Sequence, residues 1–209
     1  GAPSDLATEV AEHLVDADVA GMPSHGVVQV PRYVSCIRRG EIVADARPKV
    51  IVDRGPTALV SGEWGFGHVA TRFATDQAIE RARTYGVSAV GLIRTHHNGR
   101  LGAFVERAAT RDTALICLSG GQGRLFPQAT PFGGATPLFQ SNPVAIGFPG
   151  LTGPAMMADF ATTALAGARI LMYQKAMKSL PPDSLIRQDG EPTTDPADFL
   201  EGRAWHVPF

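Results

Sequence analysis

The sequence predicts a mixed α/β fold with enough apolar residues for a packed core. Hydrophobic residues make up 44% of the 209 positions, and this length suggests one large domain or two small ones. Segments of helical and strand pattern alternate between residues 70 and 118, at the spacing typical of α/β proteins. We therefore expect helices that pack on a sheet.

The chain opens with two predicted helices. Ser4 provides a cap ahead of Leu6, Val10 and Leu14, and apolar residues four apart predict an amphipathic helix. A second helix is expected over residues 31–40, because proline in a first turn loses no internal hydrogen bond and a glycine ends the pattern.

Strand patterns follow. Two short β-branched or apolar runs at residues 49–52 and 58–60, separated by a turn, predict a hairpin or a meander. Residues 62–68 are rich in glycine and predict a loop, and residues 70–85 predict a helix that Gly86 ends.

Strand and helix patterns continue from residue 87 to residue 196. They predict a buried strand at 87–93, a helix at 101–110, strands at 114–118, 144–148 and 155–159, a helix at 162–177 and a turn-rich segment at 181–196. Between residues 120 and 134 the chain is irregular in pattern and contains Gly123 and Pro127. A long irregular segment in a compact domain usually has a functional reason.

Composition excludes several classes of protein. The formal net charge is −1, so no strong field attracts nucleic acid or an anionic membrane surface. No run approaches the roughly 20 apolar residues of a spanning helix, and no leader pattern opens the chain. Only Cys36 and Cys117 are present, which favours a reducing compartment over a disulfide framework or a cysteine-based zinc site. We expect a cytoplasmic protein.

The first candidate site is Ser24-His25-Gly26, between the two predicted helices. Imidazole exchanges protons near neutral pH, and the adjacent hydroxyl of Ser24 could hold His25 or relay its proton. The alternative is structural, with Ser24 as a helix cap and His25 bonded to a backbone carbonyl.

The second candidate is Thr95-His96-His97-Asn98-Gly99-Arg100, which follows a predicted strand and precedes a helix. Backbone N–H groups, a cation and proton carriers in one turn suit a dinucleotide phosphate or a carboxylate. The alternatives are an ordinary polar surface turn and a metal site using His96 and His97, for which no third ligand is spaced nearby in sequence.

Other motifs are weaker. Gly65-Phe66-Gly67-His68-Val69-Ala70 imitates a dinucleotide fingerprint, but the next strand ends in Ile93-Arg94 rather than in an acidic residue, so we interpret it as a turn-forming loop. Asp159-Phe160-Ala161 ends a strand and could cap a helix, and Ser141-Asn142-Pro143 could line a pocket or form a turn.

Taken together, these segments resemble the malate/L-lactate dehydrogenase family, which includes ureidoglycolate and sulfolactate dehydrogenases and piperideine-2-carboxylate reductases. The likeness runs in order along nearly the whole chain. Its motifs are Gly21-Met22-Pro23-Ser24-His25-Gly26-Val27, Pro31-Arg32-Tyr33, Gly65-Phe66-Gly67, His96-His97-Asn98-Gly99-Arg100-Leu101-Gly102, Ser141-Asn142-Pro143, Asp159-Phe160-Ala161-Thr162-Thr163 and Pro192-Thr193-Thr194-Asp195-Pro196.

The resemblance implies a fold and an assembly. It implies a non-Rossmann α/β fold with a mixed, largely antiparallel sheet and flanking helices, and a homodimer. We divide the chain into an N-terminal helical segment at residues 1–45 and a cofactor- and substrate-binding region at residues 46–209. The second region is expected to be truncated at its C-terminus, because the family continues beyond it.

The resemblance also implies site residues. His25 and His97 correspond to the proton-transfer candidates, with Ser24 as relay partner, and the resemblance leaves open which histidine is the donor. Ser141 corresponds to a substrate-contacting position. The cofactor segments are His97 to Leu101, through Asn98, Gly99 and Arg100, and Asp159 to Ala161, through Phe160.

Two positions depart from the family pattern. Where many members carry an arginine to bind the substrate carboxylate, this chain has Gln29, which lacks the charge and the bidentate geometry. Arg32 and Arg100 are the candidates to replace that cation. A second departure is Ala166-Gly167-Ala168-Arg169, where the family usually has Arg-Gly-Lys after the alanine.

The resulting prediction is an oxidoreductase that uses NAD or NADP. It would transfer hydride between nicotinamide and a small 2-oxo or 2-hydroxy acid, or a cyclic imino acid, without nucleic-acid or membrane partners and without a metal. The alternatives are a catalytically silent binding or scaffold protein derived from this family and a metal-dependent hydrolase.

Overall fold

Small sheets and helices alternate in the computed structural model, which confirms the mixed α/β class. The structure describes residues 1–121 and 128–209, so the expected irregularity at Gly123 and Pro127 lies outside the described residues. The chain divides into unit 1, residues 1–117 and 146–158, and unit 2, residues 118–145 and 159–209. Within the described ranges, no helix is both long and apolar enough to cross a bilayer.

Unit 1 begins with two helices that share one core. Helix α1 spans Ser4–Val19 and α2 spans Val30–Arg38, and two short 3-10 turns, Pro23–His25 and Val27–Gln29, join them. The apolar residues four apart in α1 face this core, as the pattern predicted. The buried cluster consists of Leu6, Val10, Leu14, Tyr33, Cys36, Ile42, Phe66 and Val69.

The first sheet is built from a hairpin and a parallel strand. Strands β1 (Lys49–Arg54) and β2 (Thr57–Ser61) pair antiparallel, which confirms the predicted hairpin. Helix α3 (Gly67–Tyr85) then leads to β3 (Ala89–Ile93), which pairs parallel with β2. The expected burial of β3 is wrong, because its side chains alternate between exposed and half-buried.

Helix α3 begins earlier than its sequence pattern indicates. The glycine-rich segment was expected to be a loop as far as His68, but the helix starts at Gly67. A Cβ on Gly67 would lie 2.2 Å from the carbonyl oxygen of His97. The glycine is therefore required by close backbone packing, although glycine is a poor helix former.

The second sheet follows α4 (Gly102–Ala109). Its strands have the order β4 (Leu115–Leu118), β5 (Val144–Phe148) and β6 (Met156–Phe160), and all three were predicted within two residues of their ends.

Unit 2 contains a third sheet that sequence reasoning missed. After α5 (Gly167–Lys175), strands β7 (Leu185–Arg187) and β8 (Pro192–Thr193), helix α6 (Pro196–Leu200) and strand β9 (Ala204–His206) follow. Strand β7 pairs antiparallel with both β8 and β9. These strands are only two or three residues long, too short for an alternating pattern to be recognised, so the expectation of turns alone was wrong.

Helix α5 is shorter than predicted. Residues 162–166 were expected to be helical, but the Thr162 hydroxyl donates to the carbonyls of Ser141 and Asn142, and the Thr163 hydroxyl donates to that of Leu165. Threonine hydroxyls that bond to nearby carbonyls compete with helix formation. The core of unit 2 consists of Leu165, Ile170, Leu180, Leu185 and Ala204.

Candidate active site

The turn that follows β3 is held in place by α1. The backbone N–H of Arg100 donates to Nε2 of His13 at 3.0 Å, and a Cβ on Gly99, whose φ is +77°, would lie 2.4 Å from the same nitrogen. Asn98 donates from Nδ2 to the Thr71 hydroxyl of α3 at 2.5 Å. The turn is therefore built on side chains of two helices, and it requires glycine at position 99.

Arg100 belongs to this support. Its side chain is only 3% exposed, and its guanidinium donates to Asp16 at 3.0 Å and to Glu106 at 2.5 Å. Two carboxylates already neutralise this cation, so Arg100 is not available to replace the missing arginine at position 29.

The Ser24-His25 segment lies in the first 3-10 turn. The Ser24 hydroxyl and Nδ1 of His25 are 3.0 Å apart, and Gln29 donates from Nε2 to the Ser24 carbonyl at 2.7 Å. Asp18 accepts the N–H of Val27 at 3.0 Å and occupies the space where a Cβ on Gly26 would lie. Gln29 and Asp18 thus fix the backbone on both sides of His25.

The structure brings His25 and His97 together. Their rings lie nearly parallel, with centroids 5.6 Å apart and an interplanar angle of 19°. These residues come from the connection between α1 and α2 and from the turn after β3. Their proximity is the relation that the family resemblance requires, and their chemical roles stay predictions.

Two further side chains, not identified from the sequence, complete the cluster. The Tyr33 hydroxyl lies 2.7 Å from Nδ1 of His97 and 3.3 Å from Nε2 of His68. Tyr33 is 4% and His68 is 2% exposed. The available signal was position: Tyr33 belongs to the family motif Pro31-Arg32-Tyr33, and His68 directly follows the family motif Gly65-Phe66-Gly67, but neither residue was assigned a role.

Burial favours the uncharged forms of three imidazoles, those of His97, His13 and His68, and of the Tyr33 hydroxyl. The pKa of His97 is lowered to about 3, chiefly by burial and to a smaller extent by the positive charge of Arg32. Burial also lowers the pKa of His13 to about 4 and holds that of His68 well below its usual value. The pKa of the Tyr33 hydroxyl is raised, again by burial.

Arg32 is the remaining candidate cation. It is exposed, and its guanidinium donates to the side-chain oxygen of Gln29 at 3.3 Å. Its charge contributes to the lowered pKa of both His96 and His97, which places the guanidinium within electrostatic reach of the two imidazoles. Gln29 and Arg32 together form the polar rim beside the Ser24 turn.

His96 faces different neighbours. Its ring, the Cys36 thiol and the Glu41 carboxylate offer ligand atoms within 4.8 Å of one another. Arg39 already donates to both carboxylate oxygens of Glu41, at 2.7 and 2.8 Å, and approaches the Cys36 sulfur at 3.4 Å. A metal ion at this group would have to displace the arginine.

The other predicted site residues belong to unit 2. The carbonyl of Ser141 accepts the backbone N–H and the hydroxyl of Thr162, at 3.1 and 3.2 Å. Unit 2 therefore brings Ser141 close to the segment that continues from Asp159, Phe160 and Ala161. The ring of Phe160 is 42% exposed.

Comparisons with known proteins show which family the chain is similar to. The sequence model of the family described as malate/L-lactate dehydrogenase matches residues 1–209. L-sulfolactate dehydrogenase of Methanothermobacter thermautotrophicus is 34% identical over 200 residues, which are 96% of this chain and 57% of that protein. L-lactate dehydrogenase of Cupriavidus necator is 34% identical over 194 residues, 92% of this chain and 55% of that protein.

A solved structure shows the same fold. Δ1-piperideine-2-carboxylate reductase of Pseudomonas syringae superposes with a TM-score of 0.92 at 28% identity, and the match covers 100% of this chain and 61% of that one. The chain thus spans little more than half the length of the curated relatives it matches. On the strength of the full-length family match and the shared fold, the chain belongs to the malate/L-lactate dehydrogenase family.

Proposed function

We propose that the complete protein is an NAD(P)-dependent oxidoreductase. It transfers hydride between nicotinamide and a small 2-oxo or 2-hydroxy acid, or a cyclic imino acid. The observation that carries the proposal is the pairing of His25 and His97, whose ring centroids are 5.6 Å apart. Family membership supports it, because relatives are named L-sulfolactate dehydrogenase, L-lactate dehydrogenase and piperideine-2-carboxylate reductase.

The reaction requires one proton for each hydride. When bound, NAD(P)H supplies the hydride that adds to the carbonyl carbon of a 2-oxo acid. The carbonyl oxygen must then gain a proton, and in the reverse direction the hydroxyl must lose one. The contribution of this chain is to hold the substrate and to manage that proton.

We assign the proton to His25. The Ser24 hydroxyl, 3.0 Å from Nδ1 of His25, donates to the unprotonated nitrogen or accepts from the protonated one, so it supports both states of the ring. His97 acts as a neutral partner, since burial lowers its pKa to about 3. A neutral imidazole still donates one hydrogen bond to a substrate oxygen.

Substrate binding is proposed for the polar rim and for unit 2. Arg32 is an exposed guanidinium beside Gln29, and it supplies a positive charge for the substrate carboxylate. Gln29 offers an amide in place of the arginine found in many relatives. Ser141 is the proposed contact from unit 2.

A dinucleotide fits the turn after β3 only in part. The N–H of Arg100 donates to His13 and its Nη2 donates to Asp16 and Glu106, so these two donors already support the turn, and Arg100 is proposed as a cofactor-side residue on the strength of the family resemblance alone. We propose that His97, Asn98, Gly99 and Leu101 shape the nicotinamide end of the site. The strand end Asp159-Phe160-Ala161 is the second proposed contact.

Several finer expectations belong to the same proposal. These are the non-Rossmann arrangement with a largely antiparallel sheet, the helical segment at residues 1–45, the binding region at residues 46–209, the homodimer and the cytoplasmic location. The antiparallel pairs β1–β2, β7–β8 and β7–β9 support the expectation of a largely antiparallel arrangement. The silent scaffold finds less support, because the relatives are named dehydrogenases and reductases.

Turnover by the complete protein tests the proposal. We expect a substrate-dependent change in nicotinamide absorbance with some members of a panel of 2-oxo acids and cyclic imino acids. His97→Asn keeps an acceptor for the Tyr33 hydroxyl but has no N–H at the position of Nε2, and loss of this donor should lower kcat about 100-fold. Cofactor binding without turnover across the panel would favour the scaffold, and full activity of His97→Asn would overturn the proposed site.

A further inference from the structure

The hydroxyl of Tyr33 links two buried imidazoles. It lies 2.7 Å from Nδ1 of His97 and 3.3 Å from Nε2 of His68. A neutral tyrosine hydroxyl has one proton, so it donates to one nitrogen and must accept from the other. With both imidazoles neutral, two arrangements of protons are therefore consistent with these contacts, and they give His97 opposite tautomers.

In the first arrangement, Nε2–H of His68 donates to the Tyr33 oxygen, and the Tyr33 hydroxyl donates to Nδ1 of His97. The proton of His97 is then on Nε2. In the second arrangement, Tyr33 donates to His68, and Nδ1–H of His97 donates to Tyr33. The proton of His68 is then on Nδ1, and Nε2 of His97 is unprotonated.

The surroundings of His68 favour the first arrangement. Nδ1 of His68 is buried and has no hydrogen-bond partner among residues 1–121 and 128–209. In the second arrangement, Nδ1 of His68 would carry a buried proton that no acceptor receives. In the first arrangement, Nδ1 carries no proton and only its lone pair lacks a partner. Buried donors without a partner are rarer in proteins than acceptors that are incompletely satisfied.

The neighbouring His13 does not rescue the second arrangement. Its ring meets that of His68 edge-on, with centroids 4.7 Å apart. Nε2 of His13 already accepts the backbone N–H of Arg100 at 3.0 Å, so a neutral His13 has its proton on Nδ1. His13 therefore has no lone pair left to accept a proton from His68.

The two distances agree with the same assignment. A separation of 2.7 Å is typical of a hydroxyl donor, and the longer 3.3 Å contact suits a weaker N–H donor. Both lines of argument give one direction of donation, from His68 through Tyr33 to His97.

We propose that His68 and Tyr33 are positioning residues that hold His97 in the tautomer protonated at Nε2. His97 then meets the substrate oxygen as a hydrogen-bond donor, and His25 carries the proton. The role toward substrate rests on the proposed function, whereas the tautomer itself is a property of the protein without ligand. His68 would thus act on the reaction through Tyr33, without contact with the reacting atoms.

Nitrogen NMR of the complete protein, labelled with 15N-histidine and free of substrate, tests the tautomer directly. We expect Nδ1 of His97 to be unprotonated and Nε2 to be protonated at neutral pH, with the signals assigned by their loss in His97→Asn. A protonated Nδ1 on His97 would overturn the proposal. Because no turnover is measured, failure of the proposed function leaves this result unaffected.

Two variants of His68 separate positioning from packing. His68→Leu removes the donor to Tyr33, so the His97 signals should move toward those of a tautomer mixture, and kcat should fall about tenfold with little change in KM. His68→Gln retains an amide N–H near the position of Nε2 and should keep both the tautomer and most of kcat. Wild-type signals in His68→Leu would overturn the role of His68.

Tyr33→Phe provides the second measurement if His68→Leu fails to fold. It removes the bridging hydroxyl while it keeps the ring, and the tautomers of His68 and His97 should both become mixed. An unchanged His97 tautomer in Tyr33→Phe would show that another group sets it, and would overturn the proposal.

Discussion

The rings of His25 and His97 lie side by side and nearly parallel, with centroids 5.6 Å apart and an angle of 19° between the ring planes. The two rings differ in their hydrogen bonds. His25 is paired with the Ser24 hydroxyl, whereas Nδ1 of His97 is paired with Tyr33 inside the core. This difference supports separate roles, a proton carrier for His25 and a neutral hydrogen-bond donor for His97.

Ser24→Ala should slow turnover without unfolding the protein. The substitution removes the hydroxyl 3.0 Å from Nδ1 of His25, so the ring loses its orienting hydrogen bond. A hydrogen bond worth about 1 kcal/mol corresponds to a roughly fivefold decrease in kcat. Steady-state kinetics provide the measurement. Ser35→Ala is the control, because the Ser35 hydroxyl accepts a hydrogen bond from Arg39 and does not contact an imidazole. Equal decreases in kcat for the two variants would contradict a role for Ser24.

Arg32→Gln should weaken substrate binding. Loss of one charge-assisted hydrogen bond should raise KM for carboxylate substrates about 10- to 100-fold, with a smaller change in kcat. The same substitution should raise the pKa of His97, because the positive charge of Arg32 disfavours the protonated ring. Histidine NMR measures this shift. Arg38→Gln, an exposed position on the same helix, is the control, and an unchanged KM in Arg32→Gln would remove Arg32 from the site.

Gly99→Ala should destabilise the protein more than Gly190→Ala, although both glycines have a positive φ. Gly99 has φ +77° and would place a Cβ 2.4 Å from Nε2 of His13, whereas Gly190 has φ +87° and open space around it. Strain alone should cost about 1–2 kcal/mol at both positions, and the clash should add about 1–3 kcal/mol at Gly99. Urea unfolding measures the difference, and equal losses would show that His13 moves aside freely.

His206→Phe should reduce the acid sensitivity of folding. His206 is buried beside Phe199, its ring nitrogens have no partner in the described part of the chain, and burial lowers its pKa from 6.5 to about 4. Between pH 6.5 and about pH 4, His206 is protonated in the unfolded chain but not in the folded one. The free energy of unfolding therefore keeps its full value above pH 6.5 and decreases as the pH falls toward 4.

The variant lacks this titration. The slope of unfolding free energy against pH should therefore decrease by up to about 1.4 kcal/mol per pH unit within the window. Unfolding measured at pH 8 and at pH 5 tests this, with the pH 8 value as internal control. Identical slopes for wild type and variant would mean that His206 is protonated in the folded protein.

The sequence predicted the elements of unit 1 well, because their patterns are local. The four-residue spacing of Leu6, Val10 and Leu14 identifies α1, and the two β-branched runs identify the hairpin. The candidate histidines were found for the same reason, since His25 and His97 each lie in a short motif between clear elements. Their proximity followed from the family resemblance and not from any local pattern.

What the sequence could not indicate depends on contacts between distant residues. Tyr33 looks like an ordinary core residue of α2 until His68 and His97 are placed around its hydroxyl. Arg100 looks like a ligand-binding cation until Asp16 and Glu106 are found beside it. The partners of Tyr33 and the Asp16 partner of Arg100 are far away in the sequence, and the nearby Glu106 gives no sign of the pairing until the turn is folded.

The contact between Gly67 and the carbonyl of His97 limits how this site could be redesigned. At this point the first turn of α3 rests directly on main-chain atoms of the histidine turn, with no side chain between them to trim or enlarge. Attempts to engineer a new substrate preference should therefore leave α3 untouched and begin with Arg32, whose side chain is exposed and takes no part in this backbone packing.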